Sequence, residues 1–181
     1  MSSIIKITAL VDKVAAACGW LGKVIGSAGV FLMTLLITVD VVGRFLFRIP
    51  TYVATEFSGY LCVIITFIGL SYVSRIGRQI EVTILIDRFS GTVQHWMRLI
   101  TTTVSLLFLA YFSFETAEVT LLDFQLGARS LTFVHTPIWL ISGCIPLGLS
   151  MLTIQVFAVW MKLVTTRNGV IRQADQTIGE F

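Results

Sequence analysis

Residues 130–161 read SLTFVHTPIWLISGCIPLGLSMLTIQVFAVWM, a stretch between Arg129 and Lys162 without one charged side chain. An α-helix rises about 1.5 Å per residue, so about 20 residues cross the ~30 Å hydrocarbon core of a bilayer. This run crosses it with residues to spare. It lacks the strict apolar–polar alternation over about ten residues that marks a membrane barrel strand. The stretch is therefore predicted to hold a transmembrane helix over 136–163. Thr136-Pro137 makes a good start, because a proline at the first helical position forfeits no hydrogen bond. Pro146, inside the run, is expected to kink it.

Working outward, three more charge-free runs lie between Lys23 and Asp40, Glu56 and Arg75, and Arg98 and Glu115. The first and third hold 16 residues each, or about 24 Å of helix. They fall short of the core, so flanking charges must sit at its edge or snorkel out of it. The predicted spans are 20–47, 52–74 and 96–121. Composition agrees: of 181 residues, 56% are hydrophobic and 13% charged, with a mean hydropathy of +0.90. A soluble domain carries about 25% charged residues. Half that charge cannot cover a water-facing surface, which excludes an ordinary soluble enzyme, a disordered chain and a nucleic-acid partner. The expected fold is an all-α integral membrane protein, a single membrane domain over 1–181 with four transmembrane helices.

Charge placement gives the expected orientation. Of the 13 Lys and Arg, ten lie in the N-terminal segment, the second loop and the tail, and three in the other two loops. Basic residues favour the cytoplasmic side, so both termini are expected inside. With five acids on each side, the inner side is net +5 and the outer −2, an inner surface suited to anionic membrane lipids. Lys6, Asp12 and Lys13 interrupt residues 1–17, so no apolar signal-peptide core is read there. Ile4, Ile5, Leu10, Val11 and Val14 instead predict an amphipathic lead-in over 1–19, lying on the inner surface and running into the first span. Ile80, Val82, Ile84, Leu85 and Phe89 predict an amphipathic inner loop over 75–95. Residues 122–135 form an outer loop and 164–181 a cytoplasmic tail.

Little in the chain points to chemistry. His95 falls at the inner end of the third span and His135 at the outer start of the fourth, about 30 Å apart across the membrane. They cannot share a haem iron. Cys18, Cys62 and Cys144 have no ligand spacing and read as small buried residues. No phosphate loop, metal pair or nucleophile elbow is present, so neither a cofactor nor an enzymatic activity is expected.

The remaining polar features read as interfaces. Asp40 and Arg44, four apart, share a helix face, and Glu56 opens the second span on the same side. The three are expected to form an outer-edge cluster. Glu56, Gly59, Cys62, Thr66 and Gly69 fall on one face of the second helix, mostly small residues of the kind that let helix backbones approach in lipid. Gly22 and Gly26 make a shorter pair on the first helix. All placed charges are expected near membrane boundaries, which leaves no midplane charge for transport.

Several stretches resemble one family. Asp40-Val41-Val42-Gly43-Arg44-Phe45-Leu46-Phe47, then Pro50 and Glu56, is similar to a D-V-x-G-R segment followed by proline and glutamate. Phe67-Ile68-Gly69-Leu70-Ser71-Tyr72 and Arg75-Ile76-Gly77-Arg78-Gln79-Ile80-Glu81-Val82 resemble its second-helix end and basic inner loop. Pro137, Trp139 and Pro146-Leu147-Gly148 complete the pattern. The family is the small, DctQ-like membrane subunit of tripartite ATP-independent periplasmic (TRAP) transporters, and the likeness covers about residues 20–163. The chain departs from it at Gln79 and near Thr83, where the family often has histidine and an acid.

The resemblance implies a non-catalytic subunit in a bacterial inner membrane. Its implied partners are a large membrane subunit that moves the substrate and a periplasmic substrate-binding protein. It implies uptake of organic acids such as carboxylates or sialic acid, usually driven by sodium. On this reading Asp40, Arg44, Glu56, Gly59, Thr66, Gly69, Arg75 and Arg78 are candidates for the subunit interface. Arg48, Glu118, Asp123 and Arg129 are candidates for outer docking. Two alternatives are a self-sufficient small oligomeric transporter with Glu56 or Asp40 as its coupling carboxylate, and a membrane cytochrome anchor.

Overall fold

A computed structural model describes residues 2–47, 52–76, 91–130 and 135–165. In chain order these form α1 (Ser2–Phe47), α2 (Tyr52–Arg75), α3 (Gly91–Gln125), α4 (Ile138–Ser142) and α5 (Cys144–Thr165). Among the described residues, four helical stretches are long and apolar enough to cross a membrane: Thr8–Leu46, Ala54–Arg75, Val93–Gln125 and Ile138–Val164. The last combines α4 and α5. The chain is therefore an all-α protein with four membrane-crossing helices.

The helices are longer than charge alone predicted. α1 has 46 residues, about 69 Å of helix, and α3 has 35, about 52 Å. The expected lead-in and first span are one unbroken helix, and α3 extends the third span at both ends. Hydroxyls inside the helices are satisfied locally, as lipid requires. Thr34, Thr38, Thr103 and Thr116 each donate to the carbonyl four residues back.

The fourth span is interrupted near the predicted place. Pro146 has no N–H to offer the Ser142 carbonyl four residues before it, and the helix divides at Gly143. Its start, Ile138, lies two residues beyond the expected start at 136. Pro137 is extended (φ −67°, ψ 118°) and caps α4 from outside, in a single bridge with Arg129. α3 ends in a Schellman turn: Gly127 sits at φ +58°, its N–H donates to the Phe124 carbonyl, and the Ala128 N–H donates to that of Asp123. The Phe124 and Trp139 rings then meet edge to face at 5.4 Å, tying the end of α3 to α4.

α5 is the central helix, packing against α1, α2 and α3, while α1 packs along α2. Among the described residues the buried apolar core is small: Ala15, Ile68, Leu149, Leu152 and Ala158. Large apolar side chains such as Phe31, Phe45, Leu107 and Phe108 point outward, as they do where lipid or another subunit replaces water. Packing depends on close backbone approach instead. A Cβ on Gly22 would lie 2.7 Å from the Ile68 carbonyl oxygen, and one on Gly148 would lie 2.5 Å from that of Phe67. The first keeps α1 against α2 and the second keeps α5 against α2.

Candidate functional site: polar junctions and open helix faces

The polar contacts gather at two ends of the bundle. At the basic end, Asp12 of α1 accepts from Lys162 of α5 at 2.9 Å and lies 3.7 Å from the Arg75 guanidinium of α2. One carboxylate thus reaches three helices. Arg75 arrives there because Gly19 leaves room for its stem: a Cβ on Gly19 would sit 2.7 Å from Arg75 Cδ.

Beside this ionic junction lies a buried one. Gln155 of α5 and Ser71 of α2 are 3% and 0% exposed. The Gln155 amide donates to the Ala15 carbonyl of α1 and, at 3.5 Å, to Ser71 Oγ. A buried amide must find partners, and here both lie on other helices. The sequence reading gave Asp12, Lys162, Gln155 and Ser71 no contact role: Asp12 and Lys162 entered it only as charges flanking apolar runs, and Ser71 only within a family-like stretch. Gln155 is a neutral side chain inside a charge-free run, and a search for charges passes over it. A polar amide in an otherwise apolar span was the available signal.

At the opposite, acidic end, Arg44 donates to Asp40 at 2.5 Å within α1. The Asp40 side chain is 9% exposed and that of Arg44 54%, so the acid is turned in and the guanidinium out. Glu56 accepts from Tyr60 and from Thr136 at 3.3 Å, which links α2 to the segment before α4. Asp123 accepts from Ser142 at 2.9 Å. Of the outer docking candidates, Asp123 is thus engaged within the subunit, whereas Glu118 and Arg129 are exposed. Arg48 and Arg78, with Gln79 and Thr83, fall outside the described residues. His95, in the second turn of α3, and His135, ahead of α4, lie at opposite ends of the bundle, so they cannot ligate one iron.

One expectation is corrected. Cys62 is exposed rather than buried, and Cys18 and Cys144 are half-buried. Cys62 lies on the small-residue face of α2, and that face points out of the subunit: Thr66 is exposed, and a Cβ on Gly59 or Gly69 would meet nothing within 4 Å. Contact register sets Asp12 beside Lys162 and Lys23 beside Tyr72, three residues before Arg75.

Residues 33–166 match the family model described as "Tripartite ATP-independent periplasmic transporters, DctQ component". The chain belongs to the DctQ family. It is also 30% identical over 151 residues to the ectoine TRAP transporter small permease protein TeaB of Halomonas elongata, an alignment that covers 82% of this chain and 76% of that protein. As a TRAP small permease it is a multi-pass inner-membrane protein, and its transporter includes a large membrane subunit and a periplasmic binding protein. The resemblance read from Asp40–Phe47, Phe67–Val82 and Pro137–Gly148 is thereby established. In this DctQ subunit the contacts of Asp12, Gln155, Glu56 with Thr136, and Asp123 join separate segments of the subunit to one another.

Proposed function

We propose that the chain is the non-catalytic scaffold of a binding-protein-dependent secondary transporter. It holds the large subunit in place with both termini cytoplasmic while that subunit moves the substrate. The observation that carries this reading is the use of polar groups. Asp12, Gln155 and Ser71 tie α1, α2 and α5 together, Glu56 ties α2 to the segment before α4 and Asp123 ties α3 to α4, while the small-residue face of α2 and large apolar surfaces stay uncovered. A body fixed inside and open outside is suited to supporting another membrane protein.

In this proposal Asp40, Arg44, Glu56, Gly59, Thr66 and Gly69 contribute to the subunit interface, with Arg75 and Arg78 at the cytoplasmic end. Glu118 and Arg129, with Arg48, offer part of the docking surface for the binding protein. Uptake is driven by an ion gradient, sodium in the first instance. The substrate is a small organic acid or, following the name of the Halomonas relative, ectoine. Its choice rests with the other two components.

Reconstitution tests the proposal. Liposomes with both membrane subunits, the binding protein and an imposed sodium gradient should accumulate substrate, and liposomes with the small subunit alone should not. Accumulation by the small subunit alone would overturn the scaffold reading in favour of a self-sufficient transporter.

A further inference from the structure

We infer that a transmembrane helix of the large subunit packs along the outward face of α3 and brings a basic side chain, Lys or Arg, to Glu115. The inference rests on the scaffold reading and adds to it a second contact face with its own chemistry. α3 packs against α5 and α4, and large side chains along the rest of its surface stand uncovered. Ile100, Val104, Leu107, Tyr111 and Phe114 follow one another at steps of four, three, four and three, and each is more than half exposed. That spacing is the seam of a left-handed helix pair, in which each side chain enters a hole on the facing helix. Glu115 stands beside the seam, at the flanking position where charged residues select the partner.

Glu115 decides what covers the seam. Contacts on both sides fix its level. Toward the basic end Trp160 donates to Thr103 at 2.9 Å, and toward the acidic end Ser142 donates to Asp123 at 2.9 Å. Trp160 and Ser142 both belong to the crossing stretch Ile138–Val164, and Glu115 to the crossing stretch Val93–Gln125. Glu115 is half-buried, and the Tyr111 hydroxyl lies beside it. Among the described residues no Lys or Arg forms an ion pair with it. An ionisable side chain in a crossing helix calls for a partner. Acyl chains offer it no donor, and a lipid phosphate carries the same sign as the carboxylate. A second copy of this chain would share its orientation in the membrane, and a two-fold pairing of α3 seams would set Glu118, at the next seam position, against Glu118. A basic side chain on a helix of the large subunit answers the charge while its neighbours fill the seam. At Glu118 the seam opens onto the outer docking surface.

The test uses the complete transporter. A photoreactive phenylalanine derivative at Leu107 is irradiated in membranes that contain both subunits, and Glu115→Lys, Glu115→Gln and Glu115→Asp are carried through copurification. The expected result is an adduct at the summed mass of the two subunits. Recovery of the large subunit, scaled to the small subunit present in the membrane, should fall roughly tenfold with Glu115→Lys, less with Glu115→Gln, and be kept with Glu115→Asp. The neutral Glu115→Gln carries the test if the lysine variant fails to accumulate. An adduct with lipid alone, an adduct at twice the mass of the small subunit, or full recovery with Glu115→Gln and Glu115→Lys would overturn the inference while leaving the scaffold reading intact. Failure of the unaltered chain to recover any large subunit would instead sink the scaffold reading.

Discussion

α1 and α2 each carry a row of small residues, and the two rows meet different surroundings. Gly19, Gly22 and Gly29 of α1 are buried, and Cβ atoms there would run into Arg75, Ile68 and Ile65 of α2. Gly59, Cys62, Thr66 and Gly69 of α2 look outward, and Cβ atoms on its two glycines would meet nothing. The same composition thus serves two purposes. One row is used in holding the subunit together, and the other is left for something outside it. Small residues at helical spacing report a close approach, but only the partner's position says whose.

The largest effect should come from filling a contact of the first kind. Gly148→Leu places a branched side chain where even a Cβ falls 2.5 Å from the Phe67 carbonyl. Forced overpacking typically costs about 1–3 kcal/mol, and a clash with backbone belongs at or above the top of that range. The variant should unfold in detergent at a clearly lower temperature, or fail to accumulate. Unaltered thermal unfolding would mean that α2 and α5 do not approach as described.

Gly69→Leu should behave oppositely. It fills open space within the subunit, so unfolding of the isolated chain should stay within about 0.5 kcal/mol of the parent. Recovery of the large subunit should fall severalfold. If both measurements are unchanged, the outward face of α2 meets lipid, and the contrast between the two rows loses its functional half.

The sequence carried the number of spans because charge-free runs are direct evidence of hydrocarbon. Helix ends were less legible. The lead-in over 1–19 and the span over 20–47 were read as two segments, yet α1 runs unbroken through Asp12, Lys13 and Lys23, and Asp12 finds Lys162 and Arg75 on neighbouring helices. That compensation is between elements, and no local pattern shows it. Gly148 was visible as part of a motif, but its use depends on Phe67, 81 residues away in the chain. The Asp40–Arg44 pair was legible because both partners lie one turn apart on one helix. The contact of Glu56 with Thr136 was not, because it joins α2 to a segment 80 residues later.

Gln155→Leu sharpens the inner half of the comparison with a smaller effect. It removes an amide that bonds α1 and α2 from α5, but it leaves the Ala15 carbonyl with its own helical bond and Ser71 free to turn to its own backbone. Interhelical hydrogen bonds in membranes average about 0.6 kcal/mol and reach about 1.7. Complete burial places Gln155 toward the upper figure, so about 1–1.5 kcal/mol should be lost. A stabilised variant would show that the amide serves specificity of packing and adds no net stability.

Asp12→Asn should give the smallest change. Its side chain is 38% exposed, with Arg75 at 34% and Lys162 at 60%, so water screens the junction and each pair contributes at most about 1 kcal/mol. Asparagine keeps an oxygen that can still accept from Lys162, which reduces the loss further. The charge itself is best read from salt. In the parent, added salt should lower the unfolding temperature slightly by screening the attraction of Asp12 for two cations, and in Asp12→Asn that sensitivity should disappear. If the salt dependence survives the substitution, the pull at the basic end comes from other charges, and the buried Gln155 junction alone holds α1 to α5 there.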